Sequence, residues 1–158
     1  ARFIVLDGHS ARPEASTDVG HDGVEGAYWI DDAQMDWVAR ELEAHREAVK
    51  VVFCHEELHH TPLAGSGQGG SVPFPSVGKE RSYVDNGWEL RRLFEADGKV
   101  AAAFAAHKHR SRWTVYGGVH YLTLAALHWR ESLAKVTLSD RLVIEGAGGQ
   151  WGFDLPLA

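Results

Sequence analysis

Three short apolar runs, each ending in a residue that carries chemistry, constrain this chain of 158 residues most strongly. Phe3-Ile4-Val5-Leu6 stops at Asp7-Gly8, Val51-Val52-Phe53-Cys54 stops at His55, and Val100–Ala106 stops at His107-Lys108-His109. Continuous apolar runs of this length, bounded by turn residues, are the pattern of buried strands. One helical pattern lies between the first two runs. Asp31 reads as its N-cap, with Gln34 three residues on as in a capping box, and Met35, Val38, Ala39 and Leu42 share one face. It should end near residues 45–48. A shorter helical pattern lies between the second and third runs. There Asn86 reads as the N-cap with Glu89 three residues on, Leu90, Leu93 and Phe94 form the apolar face, and Gly98 is the stop.

Beyond the third run the pattern changes. Trp113–Tyr116, Val119–Ala126, Leu133–Ser139 and Arg141–Glu145 read as consecutive short strands, with turn signals at Gly117-Gly118 and Ser139-Asp140. The chain therefore reads β-loop-α-β-loop-α-β followed by an antiparallel meander. The expected class is α/β (α+β), with a mixed sheet, in one domain over residues 1–158. Residues 8–30 and 56–85 read as long loops, and loops of that length usually carry function or motion. The second contains Gly65-Ser66-Gly67-Gln68-Gly69-Gly70. It is not a phosphate-binding P-loop, because it lacks the Gly-Lys-Ser/Thr ending and a following helix.

Composition narrows the partners. A formal net charge of −6 argues against a nucleic-acid backbone or an anionic membrane as the main partner. It leaves room for a small anionic substrate, since metal ions can supply local positive charge. One cysteine, Cys54, excludes an intrachain disulfide framework. No apolar run approaches the ~18 residues of a transmembrane helix, and a soluble, cytoplasmic protein is the expectation. The chain runs from Ala1 almost at once into Phe3–Leu6. A processed protein, a fragment, or a missing upstream segment would each look like this.

His55, His107 and His109 form the leading constellation. Open α/β sheets place their ligands at strand carboxyl ends, and imidazole is the commonest metal-ligating side chain. A lone histidine is ordinarily a surface or capping residue; three at strand exits, two of them as His-x-His, point to a site. Asp7-x-His9 is a further possible ligand pair, as is His21-Asp22, although both lie where Asp and His are ordinary turn residues. His59 and His60 read as solvated loop histidines. Glu56 and Glu57 read as exposed residues or as partners that orient an imidazole. Cys54 reads as a buried structural thiol, since no base partners it. Ser66 and Ser71 lack the strand–turn–helix setting of a nucleophile elbow.

These residues resemble the second half of a calcineurin-like metallophosphoesterase. That family has a strand ending in a ligand histidine, then an Asn-x-x-Glu/Asp-Leu helix, then a strand ending in Gly-His-x-His. Here the counterparts are Val51–His55, Asn86 with Glu89-Leu90, and Val100–His109, with Ala106 where the family has Gly. Phe3–Asp7 resembles the family's Leu-Asp strand. Gln34-Met35-Asp36-Trp37 resembles its Gln-x-x-Trp helix start, and Gly117–Tyr121 its return hairpin. The resemblance implies a β-sandwich flanked by helices and a two-metal hydrolase of phosphate mono- or diesters. Divalent ions of the iron, manganese or zinc type would clamp the phosphate and activate a hydroxide. It also implies that His55 and His107 bind one ion and His109 the other.

The chain departs from the family most in what should come before these motifs. The family's first half carries Asp-x-His, Gly-Asp and Gly-Asn-His-Asp/Glu, which supply the bridging carboxylate and further ligands. None is present here in recognisable form and order. Three functions are therefore expected alternatives: a phosphoesterase part whose site is completed by other residues, a non-catalytic module for binding or assembly, or a mononuclear hydrolase using His55, His107, His109 and a water. The partners implied are a small phosphate ester and an oligomeric mate or partner segment that covers apolar sheet surface left open by the missing half.

Overall fold

The computed structural model describes residues 1–10, 28–58, 84–128 and 131–157. Within them the order is β1 (Arg2–Leu6), α1 (Asp32–Ala44), β2 (Lys50–Cys54), α2 (Gly87–Asp97), β3 (Val100–Ala105), β4 (Arg112–Tyr116), β5 (Val119–Thr123), β6 (Leu133–Leu138), β7 (Arg141–Ala147) and β8 (Phe153–Pro156). The first five strands form one sheet in the order β1-β2-β3-β5-β4. Its β1–β2, β2–β3 and β3–β5 pairs are parallel, and β4 runs antiparallel to β5. Parallel neighbours need a long crossover, and the segments that carry α1 and α2 supply the first two. A second, antiparallel sheet has the order β6-β7-β8.

The mixed sheet and the carboxyl-terminal meander expected from the sequence are both present. The meander begins at β6 rather than at β4, because the β4–β5 hairpin joins the parallel sheet through β3. Strand β8 gives little sequence signal: it is four residues long, ends in Pro156 and buries only Leu155. Proline cannot donate to a ladder, which suits β8 to the edge of its sheet.

Two apolar clusters sit on opposite faces of the large sheet. On one face Ile4, Leu6, Val52, Cys54 and Ala103 meet Val38 and Leu42 of α1 and Leu90 and Phe94 of α2. On the other, Val51, Ala102 and Phe104 meet Leu142, Ile144 and Leu155 of the small sheet. Each fully buried Leu or Phe contributes roughly 1.5–3 kcal/mol relative to exposure. Strand β3, covered on both faces, is buried along its whole length. Strand β1 is an edge: Ile4 and Leu6 point to the helices, whereas Phe3 and Val5 are 64% and 71% exposed on the other face.

The helix starts differ in detail from the sequence pattern. Asp31 caps α1 by accepting from the Gln34 N–H at 2.7 Å. The Gln34 side chain does not return to the cap. It holds the backbone of Asp7, accepting from its N–H at 2.8 Å and donating to its carbonyl at 2.9 Å. Asn86 occupies the N-cap position of α2 but its side chain caps nothing. Buried, it pairs with the backbone of Ile30 in the same two-bond manner, at 3.0 and 2.8 Å. Both amides thus fix loop ends beside the carboxyl edge of the sheet. Gly98 ends α2 in the left-handed conformation at φ 69°, as its sequence position suggests.

Candidate metal centre

Parallel register brings the three chemistry-bearing strand ends together. Leu6 lies opposite Cys54, and Phe53 opposite Phe104. The ladder continues past the strands: the Ala106 N–H donates to the His55 carbonyl at 2.9 Å. His55 and His107 therefore stand side by side, their rings edge to face with centroids 5.3 Å apart. Past β1, the chain is held by a short parallel bridge between His9 and Trp29. Within it the Trp29 N–H donates to the Gly8 carbonyl at 2.8 Å, and the Ser10 N–H to the Trp29 carbonyl at 3.1 Å. His9 is thereby held 6.4 Å from His55, centroid to centroid. Tyr28, buried, meets the rings of His9 and His107 edge-on at 5.1 and 5.3 Å.

The backbone at the His-x-His motif is unusual. His107 and His109 have φ of 41° and 58°, in the left-handed region. The Lys108 N–H turns back onto the Ala106 carbonyl, closing a three-residue turn on His107. Non-glycine residues held there cost of order 1–3 kcal/mol each and cluster at functional sites. The two kinks also separate the rings. His107 faces His55, while His109 packs against His128 at 4.9 Å.

Among the described residues, His55, Glu56 and His107 form a group of metal-capable side chains, with one donor atom from each all within 4.8 Å of one another. Neighbouring donors around a tetrahedral ion with arms of 2.0–2.1 Å lie about 3.3 Å apart. The three donors would draw inward by a side-chain adjustment to close on an ion. Two imidazoles and a carboxylate suit zinc, iron or manganese. His109, whose ring packs against His128, lies outside this group, and Glu56 is its third member.

Glu56 and Glu57 are buried, so their exposed reading does not hold. The physical reason is tertiary: past the end of β2 the chain bends at residues 55 and 56, and both carboxylates are turned into the protein. Glu57 is satisfied, accepting from the Thr123 hydroxyl at 2.6 Å, with the Arg112 guanidinium 4.0 Å away. Glu56 differs. Its Oε2 faces the Cys54 thiol at 3.9 Å. Its Oε1 lies 3.2 Å from His9 Nε2 but without hydrogen-bond geometry, and among the described residues it has no hydrogen-bond donor. Cys54 itself is buried as expected. Burial, then the nearby Glu56 charge, pushes its thiol up to about 12, so it is inert as a nucleophile at neutral pH. Asp7 is exposed; its Oδ1 accepts from the His9 N–H at 2.9 Å in a local turn. His21, Asp22, His59, His60, Ser66 and Ser71 lie outside the described residues.

No family model and no curated protein matches the chain. Solved structures do match. A dimetal phosphatase from Danio rerio superposes with a TM-score of 0.65 at 18% identity, over 85% of this chain and 41% of that one. GAP50, described as the anchor in the inner membrane complex of Plasmodium, superposes with a TM-score of 0.59 at 11% identity, over 99% of this chain and 49% of that one. The chain thus spans less than half the length of either structure. At these identities the likeness is one of fold, and that fold is metallophosphoesterase-like.

Proposed function

We propose that this chain is the carboxyl-terminal part of a metal-dependent phosphoesterase acting on phosphate mono- or diesters. The observation that carries the reading is the convergence of His55 and His107 at the carboxyl ends of adjacent parallel strands, in a fold shared with a dimetal phosphatase. His55 and His107 would hold an ion through their ring nitrogens, and Tyr28, packed edge-on to His107, limits how that ring can turn. A bound divalent ion would polarise a phosphoryl oxygen and lower the pKa of a water. His109, on the far side of its kink, is the expected ligand of a second ion. The carboxylate that bridges two ions in the resembled family would come from residues outside these 158. The test is hydrolysis of nitrophenyl phosphates by the chain alone, with zinc, manganese or iron. Turnover is expected to be weak or nil. Robust turnover abolished by His107→Ala would show that the strand-end residues suffice, ending the incompleteness argument.

A second reading, a non-catalytic module for assembly, is favoured by a different observation. Phe3 and Val5 expose apolar surface on the edge strand β1. Such surface invites pairing with another chain. This reading predicts a dimer or larger oligomer by light scattering, dispersed by Val5→Lys, and no stoichiometric metal. Uptake of one tightly held ion per chain would count against it.

A further inference from the structure

We infer that Glu56 is itself a metal ligand, closing with His55 and His107 a two-histidine, one-carboxylate centre that this chain forms without help. The inference rests on reading the strand ends as a metal centre. It goes beyond that reading by naming a carboxylate where the family resemblance supplies none.

Three observations carry it. First, Glu56 is fully buried, yet its Oε1 has no hydrogen-bond donor. A buried carboxylate oxygen without a donor is costly, the other oxygen has only the weak Cys54 thiol as donor at 3.9 Å, and a cation is the partner that would offset the cost. Second, a donor atom of Glu56 already lies within 4.8 Å of donor atoms on both His55 and His107. Adjacent residues of a strand normally diverge to opposite faces. Here the chain bends after β2, so that His55 and Glu56 serve one point. Third, Gly8 makes room. A Cβ at that position would lie 2.3 Å from Glu56 Oε2 and 3.2 Å from Cys54 Sγ, so only glycine lets the carboxylate sit where it does.

The rival account is that Glu56 exists to pair with His9, whose Nε2 is 3.2 Å away. His9 is about half exposed while the carboxylate is fully buried, and a partly solvated imidazole is a weak counter-charge. The ring also lacks hydrogen-bond geometry to Oε1. His55, Glu56 and His107 leave coordination positions open for water or a phosphoryl oxygen, the arrangement of catalytic rather than structural sites.

Cobalt(II) titration of the 158-residue chain, read by visible absorption and checked by equilibrium dialysis with zinc, tests this. One equivalent per chain is expected. Glu56→Gln, which keeps the shape, should weaken binding at least about tenfold, the scale on which even an outer partner matters. Gly8→Ala should weaken it too, by pushing the carboxylate aside, and serves if Glu56→Gln does not fold. His9→Ala and His109→Ala should leave the absorption band in place. Wild-type affinity in Glu56→Gln, or in a folded Gly8→Ala, would overturn the assignment. So would loss of the band in His109→Ala, since that would restore the three-histidine set. Nitrophenyl phosphate turnover measured on the same samples separates the two claims. Metal uptake that depends on Glu56 without turnover leaves this inference standing and speaks only to the phosphoesterase reading. Turnover indifferent to Glu56 does the reverse.

Discussion

Two buried carboxylates lie near opposite ends of strand β2, and they are treated in opposite ways. At the amino end, Asp97 closes α2 and takes two hydrogen bonds from Lys50 Nζ, both at 2.9 Å, plus one from the Lys99 N–H at 3.1 Å. Lys50 is fully buried and Asp97 nearly so. At the carboxyl end, Glu56 is as deeply buried and keeps one oxygen without a hydrogen-bond donor. A paired, hydrogen-bonded charge in the interior fixes geometry; an unsatisfied one marks a place that folding did not optimise. The amino end of the sheet is therefore built for stability, whereas the carboxyl end keeps the poorly satisfied carboxylate on which the proposed metal centre rests.

The contrast can be broken most forcefully at Lys50. Lys50→Ala strands the Asp97 carboxylate beneath α2 and should cost about 3–5 kcal/mol, the range for removing one member of a buried pair. Urea denaturation of the metal-free chain reads it; a loss under about 1 kcal/mol would show that Asp97 reaches water and that the pair is ordinary surface chemistry.

A smaller effect concerns His120, near the same end of the sheet. Burial lowers its pKa below the usual 6.5, partly offset by a bond to the Pro156 carbonyl. Its Nδ1 accepts from the Trp113 indole N–H at 3.2 Å, a bond that the doubly protonated ring cannot accept. Because the folded state takes up this proton less readily than the unfolded chain, the stability is whole above pH 6.5. It is lost as pH falls through the lower folded value. Denaturation curves from pH 7 to 5 should fall more steeply for wild type than for His120→Gln; parallel curves would refute the assignment.

The smallest change in stability is expected at Glu56. Without metal, Glu56→Gln should be neutral or stabilising by up to about 2 kcal/mol, since it removes a poorly satisfied buried charge. A loss of 3 kcal/mol or more, as estimated for Lys50→Ala, would make Glu56 a structural carboxylate and erase the contrast.

Much of the architecture is legible residue by residue. The runs Phe3–Leu6, Val51–Cys54 and Val100–Ala105 are strands because continuous apolar stretches of four to six residues suit a parallel sheet with packed faces. Gly98 stops α2 because it alone takes φ 69° without strain. Legibility fails where a side chain has two possible employers. Gln34 and Asn86 have the positions of capping residues, yet both spend their amides on backbone far along the chain, Asn86 on Ile30, 56 residues away. Local sequence cannot rank a cap against a partner that only the fold delivers.

The sequence by itself determined which residues stand at the strand ends, since that follows from where apolar runs stop. Hence His55, His107 and His109 stand out together at strand exits, while the pairing of His55 with His107 was implied by the family resemblance. Only the tertiary structure decided which way the rings and carboxylates face. Left-handed backbone at His107 and His109 turns one imidazole to His55 and the other to His128. A bend after β2, with Gly8 making room beside it, brings a carboxylate oxygen of Glu56 near the ring nitrogens of His55 and His107. Those directions depend on backbone angles set by packing between distant strands, which no periodicity within a single strand encodes.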